Sequence, residues 1–205
     1  SSDMLTLNTT NSPATGAGAG TIQGQDNTAT LSLGNGFNAS TLPGTLLANP
    51  FAGRLIVPAM GLNQTGNLTM GANSILLLNG NLTVNPASTL KLNGGAGSLQ
   101  SGGGLLNGVN TQSVIALGAG FNAGTIPVNL FAVPLNGSMT TAGAMTLSRG
   151  MTFGPASSVV LGGDMTIPAG EVLNLGMTGA NTITGMGRFV AASATSQASL
   201  GAGLN

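Results

Sequence analysis

Asp3, Asp26, Asp164, Glu171, Arg54, Lys91, Arg149 and Arg188 are the charged side chains of a 205-residue chain that has no His, Cys, Trp or Tyr. Any acid–base or metal chemistry would have to come from them. General acid–base catalysis rests mostly on His or on paired carboxylates, and an activated nucleophile needs a base beside it. Zinc and transition metals want His or Cys. Asp164 and Glu171 are the one pair of acids close in sequence, and each stands in a Gly-containing stretch, GGDMT and PAGEV. They read as exposed turn residues and not as a carboxylate dyad. No catalytic, cofactor-binding or metal-binding residue is assigned, and the chain is expected not to be an enzyme.

The same scarcity of charge bounds the partners. Four bases on 19.8 kDa cannot neutralise a nucleic-acid backbone, and no basic stripe is interleaved with stacking aromatics. A polybasic membrane patch is equally missing. The strongly apolar stretches SILLLN (74–79) and RLIVPAM (54–60) fall far short of the ~20 residues of a spanning helix. The expectation is therefore no nucleic acid, no membrane insertion and no cofactor. No signal peptide is recognisable, and the chain opens SSDMLTL, which reads as a processed form or a piece of something longer. At 41% hydrophobic it lies outside the low-hydrophobicity, high-charge regime of disordered chains.

The elements that would hold these residues are strands. Gly contributes 35 residues and Pro nine, spread along the chain. Each interior Gly costs a helix about 1 kcal/mol and each Pro about 3 kcal/mol. Period-two alternation recurs instead, in MLTL (4–7), LSL (31–33), NLTM (67–70), LKL (90–92) and LNL (173–175). Such runs predict short strands with one buried face, bounded by Gly, Asn and Pro turns.

Repeats occur at two scales. GNLTMGANSILLLN (66–79) is followed at once by GNLTVNPASTLKLN (80–93), and GMTFGPASSVVLG (150–162) by GDMTIPAGEVLNLG (163–176). Each reads as strand, turn, strand, enough for part or all of one coil. On the longer scale LGNGFNASTLP (33–43) returns as LGAGFNAGTIP (117–127), 84 residues on, with Pro50 matching Pro134 and Gly53 matching Gly137. The closing SLGAGLN (199–205) starts the pattern again. The chain therefore divides as a partial repeat 1–32, a first repeat 33–116, a second 117–198 and the start of a third 199–205, all within one repetitive β domain.

A two-strand unit cannot bury its apolar face alone, but stacking on its neighbours does so. The predicted fold is all-β: a β-solenoid (β-helix) of duplicated ~84-residue repeats, with a β-sandwich as the alternative because short strands and Gly/Pro turns also suit it. Leu33, Phe37, Leu117 and Phe121 are expected to be buried at equivalent positions of the two repeats.

The unit GNLTVNPASTLKLN resembles the coils of secreted bacterial β-helix proteins, such as filamentous-haemagglutinin-like adhesins and autotransporter passenger domains. The likeness is carried by residues 66–93 and 143–176. It implies a secreted, extracellular or cell-surface protein in a scaffold or adhesive role. The chain departs from that class in showing no recognisable secretion-recognition domain or membrane-barrel domain, which leaves the secretion route open.

Three functions fit such a chain. The first is a structural subunit of an extracellular fibre or sheath, a homopolymer joined head to tail by strand stacking through Met4, Leu5, Leu7, Leu200, Leu204 and Asn205. The second is a segment of a long adhesin stalk. The third is an ice- or polysaccharide-binding solenoid. For the third, Thr69, Thr83, Thr146, Thr152 and Thr166 recur in the apolar–Thr–apolar units, although Thr is also simply a good outward strand residue.

Overall fold

A computed structural model describes residues 3–7, 20–35, 37–176 and 182–201. The chain winds as a β-solenoid of about eight turns with parallel stacked sheets. It is not a sandwich: every ladder between named strands is parallel. Met4 lies beside Thr30, Thr30 beside Arg54, and Arg54 beside Ile75. Among the described residues there is no α-helix, and four short 3-10 turns, Phe37–Ser40, Gly44–Leu46, Phe121–Gly124 and Val128–Leu130, lie between strands.

Each turn of the solenoid has three sides. Side 1 begins with Met4–Leu7, Thr30–Leu33, Arg54–Val57, Ile75–Leu78 and Leu99–Ser101. It continues as Thr125–Ile126, Met145–Leu147, Met165–Ile167 and Phe189–Ala191. No ladder joins the two sheets. Asn122 joins them instead, accepting the Gly97 N–H on its Oδ1 at 2.7 Å and donating its own N–H to the Gly94 carbonyl at 3.0 Å. Side 2 stacks Thr41–Pro43, Leu62–Thr65, Leu82–Val84 and Leu106–Gly108, and passes to the next turn through the bridge from Leu106 to Phe131. Side 3 runs through Asn67–Met70, Ser88–Leu92 and Ser113–Leu117, then the latter parts of Leu135–Thr141 and Met151–Leu161, to Ile183–Gly185.

Two long strands wrap a corner and serve two sides. In Leu135–Thr141 the register shifts between Leu135 and Gly137: Leu135 pairs with Phe153, while Gly137 pairs with Ser157. Gly137 takes φ 96° at this bend, which glycine tolerates without steric cost. The early parts of these strands belong to side 2, where Met151–Phe153 pair with Val172–Leu175, which in turn carry Gln197–Leu200.

Inward positions form continuous files. On side 3, Leu68, Leu90, Ile115, Met139, Val159 and Ile183 stack in register, and all but the partly buried Ile183 are within 1% of full burial. Phe37, Phe51, Phe121, Phe131 and Phe153 are fully enclosed, each contributing about 1.5–3 kcal/mol of apolar transfer. Small polar residues such as Ser88, Ser113 and Thr141 also take inward positions, and the largest polar side chain at such a position is Gln64. Gln64 sits between Leu42 and Val84 on side 2 with no exposed surface. Its Nε2 donates to the Gly66 carbonyl, and its Oε1 has no partner.

Corners require close approach. A Cβ on Gly104 would stand 2.1 Å from the Gly80 oxygen, and one on Gly187 would stand 2.0 Å from the Gly163 oxygen. Successive turns therefore pass backbone on backbone there, which no larger residue permits.

Candidate functional site

Asp164 and Glu171 each hold a hydrogen-bond partner on a neighbouring turn. Asp164 precedes Met165–Ile167, and its Oδ2 meets Arg188 Nη2 at 3.1 Å, both groups being exposed. Its Oδ1 accepts the Arg188 backbone N–H at 3.0 Å. The Arg188 side chain and backbone donors hold the Asp164 carboxyl below its ordinary range, because they stabilise the charged form. Glu171 precedes Val172–Leu175 and uses its Oε2 to accept the Gly150 N–H at 2.6 Å. Each acid thus clamps its own turn to a neighbouring one. Asp26 is local: the Thr28 hydroxyl and backbone N–H, at 2.5 and 2.8 Å, lower its pKa. No group of three or more potential metal ligands occurs among the described residues.

The clamp motif is more general than the acids. Asn81 Oδ1 accepts the Leu105 N–H and Asn107 Oδ1 accepts the Asn136 N–H, each at 3.0 Å across one turn. Thr195 Oγ1 accepts the Gly170 N–H at 2.9 Å. A backbone donor at a corner has left the ladder, and a short polar side chain one turn away supplies its acceptor. Sequence reading missed these residues. Asn is so frequent in the chain that no spacing sets Asn81, just before Leu82–Val84, or Asn107, within Leu106–Gly108, apart.

Leu33, Phe37, Leu117 and Phe121 are all buried, at 2, 0, 1 and 0% exposure. Their surroundings match in detail. Asn38 and Ala39 take φ of 43° and 51°, and Asn122 and Ala123 take 45° and 54°. Asn38 Nδ2 donates to the Thr41 carbonyl at 3.1 Å, and Asn122 Nδ2 to the Thr125 carbonyl at 3.2 Å. The peptide bonds preceding Pro50 and Pro134 are both cis.

The five threonines singled out by the apolar–Thr–apolar pattern do not share a face. Thr69 is on side 3, Thr83 and Thr152 on side 2, and Thr146 and Thr166 on side 1. The reason is geometric. The 14-residue unit covers two of three sides, as Asn67–Met70 with Ile75–Leu78 and then Leu82–Val84 with Ser88–Leu92. Successive units therefore start on different sides. Thr125, Thr146 and Thr166 do align in one file, but Thr125 lies in a two-residue strand, and Met145–Leu147 and Met165–Ile167 each turn a single residue outward between two inward ones.

The positions expected to make a polymer joint fall at the two ends of the described solenoid. Met4 and Leu5 are 69% and 48% exposed in a strand hydrogen-bonded on one edge, to Thr30–Leu33. Leu7 is half-buried in the same strand. Beside them a hollow of 220 Å³ opens into the core, lined in part by Leu5, Ile22, Leu31 and Phe51. At the other end Leu200 is 64% exposed, in a strand laddered to Val172–Leu175. Leu204 and Asn205 lie outside the described residues. No family model, curated protein or solved structure matches the chain.

Proposed function

We propose that the protein is a structural, non-enzymatic subunit of an extracellular fibre or sheath, joined head to tail by strand stacking. The observation that carries this reading is a pair of outer strand edges, on Met4–Leu7 and on Gln197–Leu200, that no ladder among the described residues covers. A parallel strand with one unpaired edge is a template for another strand, and here each such edge lies next to exposed apolar side chains, Met4 and Leu5 at one end and Leu200 at the other. The two surfaces differ, so contact between copies is heterologous and generates a filament when it does not close. The near absence of charge, eight charged residues in 205, leaves little electrostatic repulsion to oppose stacking.

Negative-stain microscopy of the native material tests the reading: regular fibres are expected, and isolated short rods would contradict it. The adhesin-stalk alternative draws on the likeness of residues 66–93 and 143–176 to adhesin coils, in which the same stacking would be within one polypeptide. Mass spectrometry after dissociation separates the two, since a species near 19.8 kDa fits a non-covalent polymer and a much longer chain fits a stalk.

A further inference from the structure

Resting on the fibre reading, we infer that the joint is made on side 1, with Met4–Leu7 of one copy pairing in parallel with Phe189–Ala191 of the copy before it. The two strands are the first and last described members of the same side. Met4–Leu7 is laddered to Thr30–Leu33, and Phe189–Ala191 to Met165–Ile167, so the edges facing away from these partners point in opposite directions along the axis. One copy can therefore follow the next along the axis with side 1 on side 1.

The pleat fixes the register. Leu5 lies beside inward Leu31, and Phe189 lies beside inward Met165. A one-residue slip would turn every inward side chain outward. Of the registers an even number of residues apart that remain, the one that aligns the strand ends Leu7 and Ala191 sets Leu5 opposite Phe189 and Thr6 opposite Val190. The end surfaces agree with this. Phe189 and Ile183 pack partly against the core at one end, and Leu200 projects there with 64% exposure. The hollow lined by Leu5, Ile22, Leu31 and Phe51 opens at the other end. Apolar side chains from three sides meet a mainly apolar recess that Asp3 and Gln23 also line, and the joint continues the core column across the boundary.

The pairing also sets the length of the repeating unit. Among the described residues side 1 carries nine strands, from Met4–Leu7 to Phe189–Ala191, and a fibre whose unit is these strands repeats with them. At the usual ~4.8 Å between neighbouring strands, the axial repeat of the fibre is about 43 Å.

The chain has no cysteine, so engineered pairs report cleanly. Thr6→Cys with Val190→Cys places two outward residues directly opposite across the joint, and neighbouring strands bring Cα atoms within disulfide reach. Mild oxidation of assembled full-length protein should give a covalent ladder of multimers. Thr6→Cys with Ser199→Cys, which tests the last strand of side 2, should give none. Fibres that cross-link through the second pair and not the first would overturn the side-1 register and leave the fibre reading standing. Failure of the unsubstituted protein to assemble would overturn both. Image analysis of unsubstituted fibres guards against variants that do not assemble: an axial repeat near 43 Å supports the joint, and a clearly different repeat overturns it.

Discussion

Residues 37–43 and 121–127 follow the same backbone path on different sides of the solenoid. Thr30–Leu33 lies on side 1 and its counterpart Ser113–Leu117 on side 3, while Thr41–Pro43 lies on side 2 and Thr125–Ile126 on side 1. The 84 residues between them amount to three turns and two thirds of a fourth. The buried Phe, the positive-φ Asn–Ala pair and the Asn-to-Thr hydrogen bond recur regardless of side. Local conformation is thus set by about a dozen residues. The side on which they land is set by the number of turns between copies. A three-sided coil tolerates this because all three sides offer the same environment: parallel neighbours above and below, and an apolar column within.

The largest expected effect comes from the two aromatic anchors. Phe37→Ala and Phe121→Ala should each cost about 3–5 kcal/mol, and the two losses should agree closely if the environments are equivalent. Urea denaturation of the purified variants measures this. A large loss for one and a negligible loss for the other would break the equivalence.

A second test concerns the stacked corners. Gly104→Ala and Gly187→Ala force a Cβ against the backbone of the preceding turn, and overpacking of this kind costs about 1–3 kcal/mol. Gly95→Ala is the control, because its Cβ would meet nothing within 4 Å. Melting temperatures should fall for the first two and hold for the third.

Smaller still is the side-chain bond that closes each aromatic corner. Asn38→Ala removes one hydrogen bond to a backbone carbonyl, a loss of about 1 kcal/mol, whereas Asn122→Ala removes the matching bond and also the one its Oδ1 accepts from the Gly97 N–H. The urea midpoint should shift more for Asn122→Ala than for Asn38→Ala, the difference reporting the Gly97 bond, and the reverse order would contradict the comparison.

The smallest expected effect is that of pH. Asp26 and Asp164 have lowered folded-state pKa values, so their contributions are complete above the unfolded carboxylate value of about 3.9 and fade as pH falls through the folded one. Both groups are exposed, and the chain has no His or Cys to titrate near neutrality. The thermal midpoint should be flat between about pH 5 and 8 and decline only in acid; a midpoint that moves near pH 6.5 would contradict this.

Much of this architecture was legible in the residues. Alternation in NLTM and LKL marks strands with one buried face, and the two GFNA corners mark a duplication, because only a short list of residues fits a buried aromatic followed by positive φ. The three-sidedness was not legible. Turns vary in length, as between Leu135 beside Phe153 and Met4 beside Thr30, so no sharp period shows how many strands complete one circuit. Thr69 and Thr152 look alike in sequence and face different directions for that reason. Gln64 was hidden by its own polarity: LNQT reads as a strand end, yet the pleat carries its amide into the core. The clamps at Asn81 and Asn107 depend on which backbone N–H the next turn brings within reach.

The central claim is a three-sided parallel solenoid whose side 3 runs unbroken across both repeats. Spin labels on Thr69→Cys and Thr184→Cys test it most directly. Both positions lie in the outward file Thr69, Lys91, Ala116, Thr140, Val160 and Thr184. Five strand spacings separate them, which predicts one narrow backbone separation of about 24 Å. A broad distribution, or a separation that no stack of parallel turns can produce between those residues, would contradict the account.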